Sequence, residues 1–294
     1  MMKLPFAEFY ITNVCDLACE NCNRFNNFQR KGRVNWDESQ YVEFAKHLDI
    51  EIISIIGGEP LNHPGINDYI KGIRKLWPNS QIVITTNGLA INRRKHLYEY
   101  CTTYNVSLEI SFHDTNEIDG IIMQELDKFK EQNGTEWLGP ITETLNHIDR
   151  NGKPFTTEAQ HLQESKGLRI SFSPAYDFGS NAIERSIGMN TPIPHNSNPE
   201  RAYHVCGMKN SPTFHDGKFY KCGMIAAGKE FVTEYNAQEH WKELFEYSPV
   251  TAKDLSNDKW KENFWKAEPV CKLCPDVIKY NKVKTKLKAS GQNK

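Results

Sequence analysis

Five short apolar runs, separated by helical patterns, constrain this 294-residue chain more than any other feature. They are Phe6–Thr12, Ile52–Ile56, Gln81–Thr85, Val106–Ser111 and Leu168–Ser173. Each has the length and residue content of a strand. Between them, Asp37-x-x-Gln40 resembles a capping box ahead of a helix carrying Tyr41, Phe44 and Leu48. Ile66, Tyr69, Ile70, Ile73 and Trp77 share one face of a second helix, which Pro78 limits. Ile118, Ile122, Leu126 and Phe129 mark a third. Strands alternating with helices make βα units and a parallel sheet.

The strands also alternate internally. Val106, Leu108 and Ile110 oppose Ser107, Glu109 and Ser111; Leu168, Ile170 and Phe172 oppose Arg169, Ser171 and Ser173. In the first strand, Ala7, Phe9 and Ile11 oppose Glu8, Tyr10 and Thr12. A flat parallel sheet covered on both sides is apolar on both faces. One polar face instead predicts a curved sheet with helices outside and a wet lumen inside. A closed eight-stranded barrel fills its interior with branched apolar side chains, which these strands lack. The expected fold is α/β: a partial (β/α)6 TIM-like barrel over 1–180, then a small cysteine-rich α+β domain over 201–278. The stretch 133–165 reads as a lid or small insertion. Residues 181–200, rich in Asn, Ser and Pro, read as a linker, and the lysines of 279–294 as a solvated, partly disordered basic tail.

Apolar residues make up 38% of the chain and charged residues 25%, as in an ordinary globular enzyme. A net charge of −1 gives no field to gather nucleic acid or a membrane surface, so neither is expected as a partner. No apolar run approaches the ~20 residues that span a bilayer, and the first residues have no apolar stretch resembling a secretory signal. A cytoplasmic location is the expectation. In that reducing setting disulfides do not explain eight cysteines. Seven fall into two groups, which points to metal. Cys101, four residues after Leu97 on an expected helix, reads as a small buried apolar side chain.

The first group, Cys15-x-x-x-Cys19-x-x-Cys22, follows the first strand directly. Three thiolates leave one iron of a [4Fe–4S] cubane without a protein ligand, open to a small chelating molecule. Zinc also takes thiolates, usually four in a closed site. Gly57-Gly58-Glu59-Pro60 follows the second strand and Thr86-Asn87-Gly88 the third. Together with the three cysteines these motifs resemble the radical S-adenosylmethionine (radical SAM) superfamily over roughly residues 5–180. The resemblance implies a SAM-binding [4Fe–4S] cluster on Cys15, Cys19 and Cys22, with S-adenosylmethionine contacted by Gly57, Gly58, Glu59, Asn87 and Ser111. Glycine lets backbone approach a ligand closely; Asn-Gly and a strand-end serine also serve ordinary turns. One departure is Asn21, where the family usually has an aromatic residue beside the adenine; either Phe25 supplies the apolar contact instead or Asn21 hydrogen-bonds through its backbone.

The second group is Cys206, Cys222, Cys271 and Cys274. Spacing leaves a second [4Fe–4S] cluster and a structural zinc both open. The segment Asp216–Lys221 reads as a hairpin with Cys206 and Cys222 at its ends. Cys206, Gly217 and Cys222 are spaced as at the start of the SPASM extension, and four cysteines resemble its shortened form, the twitch domain, with one auxiliary cluster. The resemblance implies an oxidoreductase. An electron from a partner such as flavodoxin or ferredoxin cleaves S-adenosylmethionine, the 5′-deoxyadenosyl radical takes a hydrogen atom from substrate, and the auxiliary cluster accepts an electron. A small polar metabolite is the expected substrate, with a peptide as in SPASM-type maturases the alternative. A non-catalytic zinc protein is the third reading. Glu109 and Arg169, on the polar face, are candidates for substrate contact or proton transfer.

Overall fold

The computed structural model describes residues 1–28, 30–113, 116–148, 154–164, 167–175, 177–179, 182–187, 191–278, 280–282 and 284–288. All five expected strands form: β1 (Met2–Tyr10), β2 (Leu48–Ile56), β3 (Gln81–Thr86), β4 (Val106–Phe112) and, after an intervening hairpin, β7 (Arg169–Pro174). Helices α1 (Val42–His47), α2 (Ile66–Leu76), α3 (Leu97–Thr103) and α4 (Asn116–Asn133) follow β1 to β4 in turn. The hairpin is β5 (Trp137–Ile148) and β6 (Pro154–Glu164). After α5 (Pro199–Val205) come β8 (Thr213–His215) and β9 (Lys218–Tyr220), then α6 (Gly223–Glu234).

One nine-stranded sheet runs β9-β8-β1-β2-β3-β4-β7-β6-β5. From β8 through β7 neighbours are parallel; the pairings at both ends are antiparallel. Ile53, Ile55, Ile82, Ile84, Leu108, Ile110 and Ile170 are buried on one face in the main core, among residues from α1 to α4. The opposite rows are polar, as expected. The register sets Glu8 against Ser54, Thr85 against Glu109, and Glu109 against Ser171. Ser54 Oγ lies 2.9 Å from Thr85 Oγ1, which donates to Glu109 Oε2 at 3.2 Å.

The βα alternation stops after α4. The 133–165 stretch supplies β5 and β6, which extend the sheet from β7. The segment over 201–278 enters the same sheet: β8 pairs with β1, Glu8 against Thr213 and Phe9 against Phe214. Phe214 is the reason, since its fully buried ring stacks 4.7 Å from Phe9 and packs near Phe44, Trp77 and Phe219. Helix α6 then lies against β1 and β8 with a second core of its own, built on Phe25, Phe231, Trp241 and Leu244.

Two expectations are corrected. Within 181–200, Ile183–Ile187 pairs antiparallel with Thr191–Pro194. The Asn and Pro that suggested a linker serve in part as helix-start chemistry, since Asn198 caps α5 and Pro199 opens it. The described part of the basic tail is also paired: Tyr280–Lys282 with Asp177–Gly179, and Thr285–Leu287 with Leu17–Cys19. Its lysines are those of an edge strand, where charge discourages further pairing. No helix among the described residues is long and apolar enough to cross a membrane.

Because β8 shares the main core, Phe214→Ala is expected to cost about 3–5 kcal/mol. Chemical denaturation should show one transition at lower midpoint. A variant that lost only the structure of 201–278, leaving the rest at wild-type stability, would refute the shared core.

Candidate cluster and cofactor site

The chain leaves β1 flanked on two sides. Ile11 N donates to Ile56 O at 2.9 Å, Gly58 N to Thr12 O at 2.6 Å and Glu59 N to Val14 O at 2.7 Å. On the other edge, Asn13 N donates to Gly32 O and Val34 N to Ile11 O, each at 3.0 Å. A Cβ at position 58 would stand 2.5 Å from Val14 O, and one at 57 would stand 2.8 Å from Thr12 O. The close backbone approach read from Gly57-Gly58 is therefore an approach to the cysteine loop's own chain.

Glu59 is 1% exposed. Its carboxylate accepts from Leu61 N at 2.9 Å, Thr86 Oγ1 at 2.6 Å and Asn87 N at 2.7 Å. It thus ties the β2 exit to the β3 exit. Burial raises its pKa to about 7 against the pull of those three donors. Asn87 in turn presents Nδ2 to Cys15 Sγ at 3.9 Å while its Oδ1 accepts from Leu89 N. Asp16, between the cysteines, is anchored by Asn62 Nδ2 at 2.8 Å and Arg93 at 3.1 Å.

Cys15 is buried and receives Leu17 N at 3.5 Å. Cys22 N donates to Cys19 O at 3.2 Å, closing the loop. Burial pushes the Cys19 thiol up to about 12 and raises the Cys15 thiol well above its usual range, with each further raised by a neighbouring cysteine. Such thiols release their protons when a cation takes their place, and this donor set fits a cluster held by three cysteines. His113, which sequence reasoning missed, brings Nδ1 to 4.0 Å from Cys19 Sγ and is 4% exposed. The available signal was its position directly after the fourth strand. Asn21 has φ 62°, a left-handed conformation that asparagine tolerates, which accounts for asparagine there. Phe25 does not replace the missing aromatic contact: it is fully buried and stacked 4.2 Å from Phe231.

Ser111 lies opposite Ser173 near the end of β4. Arg169 begins β7, two residues before Ser171, on the row adjoining Glu109. Both Ser111 and Glu109 are half-buried. Cys101 is 1% exposed in the core, as expected.

The second cysteine group converges. Cys206 closes α5, rather than sitting at the hairpin's end, and Cys222 precedes α6. Cys271 lies in the 3-10 turn Pro269–Leu273 and Cys274 follows it. All four line one pocket with Tyr203, Lys209 and Lys221. Burial, then the charges of Cys222, Cys206 and Cys271, raise the Cys274 thiol well above its usual range. Lys221 is 3% exposed, donates to Asn263 O at 3.0 Å and pairs with Glu268. Among the described residues no three His, Cys, Asp or Glu side chains close on a point suited to a single ion. A cubane binds each thiolate through a different iron and does not require that.

Glu59 gives this seam a pH signature. The native state keeps the proton up to about pH 7, whereas an unperturbed carboxyl releases it near 4.5. Stability is therefore expected to fall, by about 3 kcal/mol, as pH rises between those values, and to level off above. Urea midpoints from pH 4.5 to 8 measure this, and Glu59→Gln should remove the decline; a decline of the same size in that variant would assign it to another group. Gly58→Ala should lower the iron content after reconstitution, by forcing Val14 away.

A family model described as the Radical SAM superfamily matches residues 9–156, half of the chain. The GTP 3′,8-cyclase of Clostridium perfringens (strain 13 / Type A) is 30% identical over 113 residues, 36% of this chain and 35% of that protein. The GTP 3′,8-cyclase of Alkaliphilus oremlandii (strain OhILAs) is 25% identical over 154 residues, 51% of this chain and 45% of its own. The chain thus spans between about a third and a half of the length of these relatives. Among solved structures, BtrN in complex with AdoMet and 2-DOIA aligns with TM-score 0.41 and 10% identity, over 94% of this chain and 98% of BtrN. Streptococcus suis SuiB bound to precursor peptide SuiA aligns with TM-score 0.36 and 11% identity, over 91% of this chain and 66% of SuiB. With the three-cysteine loop seated at the end of β1 and the family match running through it, this chain belongs to the radical SAM superfamily of enzymes.

Proposed function

We propose that this radical SAM enzyme oxidises a small polar metabolite and uses an auxiliary [4Fe–4S] cluster on Cys206, Cys222, Cys271 and Cys274 as electron acceptor. The observation that carries the reading is the convergence of four cysteines, Cys222 buried and the other three half-buried, on one pocket beside a buried lysine. On this reading 1–180 is the catalytic core and 201–278 a twitch-type extension. Cys15, Cys19 and Cys22 hold the SAM-binding cluster. With that cluster reduced by a flavodoxin or ferredoxin, bound S-adenosylmethionine would supply the 5′-deoxyadenosyl radical that takes a hydrogen atom.

The chain's own residues do the rest. Gly57, Gly58 and Glu59 fix the backbone edge along the cofactor, and Asn87 and Ser111 offer polar contacts to it. Glu109, already accepting from Thr85, takes the hydroxyl proton of the substrate radical. Arg169 orients an oxygen of the substrate. Oxidation of an alcohol to a carbonyl would remove one hydrogen atom, one proton and one electron; Glu109 is placed to hold the proton, and a cluster on Cys206, Cys222, Cys271 and Cys274 would supply the electron acceptor. Lys221 and Lys209 offset the negative charge of a four-thiolate cluster. A cytoplasmic location goes with this reading, since its reducing conditions keep cysteines available as cluster ligands.

The double variant Cys271→Ala/Cys274→Ala tests the assignment. Iron and sulfide should fall by about half, with reductive formation of 5′-deoxyadenosine retained and substrate oxidation abolished. Undiminished turnover, or zinc in place of iron in the wild type, would remove the auxiliary-cluster role.

A further inference from the structure

The tail strand reaches the cysteine loop at its most sensitive point. Thr285–Leu287 runs antiparallel to Leu17–Cys19, with Thr285 opposite Cys19, Lys286 opposite Ala18 and Leu287 opposite Leu17. The pairing continues on both sides: Glu20 N donates to Lys284 O at 3.0 Å, and Lys288 N to Asp16 O at 2.8 Å. Two side chains add to it. The Thr285 hydroxyl is buried opposite Cys19 with no hydrogen-bond partner among the described residues to satisfy it, which leaves it available to a cluster-bound thiolate there, and the Lys288 ammonium donates to Phe28 O at 3.2 Å while its charge favours the thiolates of both Cys15 and Cys19. From the barrel side, His113 Nδ1 stands 4.0 Å from the same sulfur.

Hydrogen bonds to the sulfurs, nearby charge and solvent exposure set the potential of an iron–sulfur cluster. A hydroxyl directed at a cysteine thiolate withdraws electron density and favours the reduced cluster. A strand laid along the loop also keeps water and oxygen from it. We propose that the C-terminal strand is a strap over the SAM-binding cluster, with Thr285 as a positioning residue that raises the cluster's reduction potential through Cys19. The proposal rests on the assignment of that cluster to Cys15, Cys19 and Cys22. It explains why a lysine-rich segment is held at the loop: three lysines, Lys284, Lys286 and Lys288, are added beside an anionic centre, while the intervening Thr285 serves the sulfur.

Thr285→Val keeps the size and strand preference of the side chain and removes the hydroxyl. EPR-monitored redox titration of the full chain, following the signal that changes when S-adenosylmethionine is added, should give a more negative midpoint for Thr285→Val and a near wild-type midpoint for Thr285→Ser. A variant ending at Val283 should lose the absorbance of this cluster in air several-fold faster than wild type. A midpoint unchanged in Thr285→Val overturns the role of Thr285, and bleaching at the wild-type rate in the shortened protein overturns the strap. A wild-type signal that ignores S-adenosylmethionine overturns instead the cluster assignment beneath both.

Discussion

The two backbone hydrogen bonds from Gly58 and Glu59 to Thr12 and Val14 decide where everything reactive in this protein stands. They prolong the β1–β2 pairing past the end of both strands and deliver Cys15 at a fixed height above the sheet. The contact is close enough that position 58 has no room for a Cβ. Once Glu59 is held there, its buried carboxylate fastens Thr86 and Asn87 of the next strand, and Asn87 reaches back to Cys15. The glycine motif and the cysteine motif are thus two halves of one seam. A side chain at 58 would act on the cysteine loop before it acted on any bound molecule.

A second constraint comes from α6, which covers the part of the polar face where β1 and β8 lie. Glu8 and Tyr10 alternate inward, as a wet lumen would need, yet both are buried. Glu8 pairs with Arg24 and accepts from Thr213 at 2.8 Å. Tyr10 donates to Asn13 and accepts from Arg30. Burial works to raise the Glu230 carboxyl on α6, but His215, Asn13 and Arg30 together hold it down to about 2. The guanidinium of Arg24, two residues after Cys22, lies against Gly223, one residue after Cys222, where any Cβ would collide with it. Arg24 thus ties the chain just after the first cysteine loop to the start of α6 beside Cys222.

What the sequence disclosed, and what it hid, follows from the range of the interactions involved. The five central strands were legible because burial on one face writes a period-two pattern into each strand separately. The cysteine and glycine motifs were legible because their geometry depends on consecutive residues. Helix α5 was hidden inside an apparent linker because Asn198 and Pro199 are common to loops and to helix starts. The tail strand was hidden because pairing to a distant partner leaves only short alternation, here diluted by lysines. His113 gave no motif at all; only the fold brings the end of β4 to Cys19. Phe25 misled for the opposite reason, since an aromatic residue near a ligand loop serves the core equally well, and Phe231 claims it.

The charge distribution around the two thiol groups gives the proposed electron path a direction. At the first group the sulfurs meet the neutral donors Leu17 N and Asn87 Nδ2, with His113 Nδ1 4.0 Å from Cys19 and Thr285 opposite it, while the charge of Lys288 acts on Cys15 and Cys19. At the second, Lys221 acts on Cys271 and Arg24 on Cys222; both cations are buried, Lys221 paired with Glu268 and Arg24 with Glu8. Nearby positive charge makes a cluster easier to reduce. On the proposed reading the buried cations favour an electron arriving at the second site, which a centre that draws an electron from a substrate radical needs.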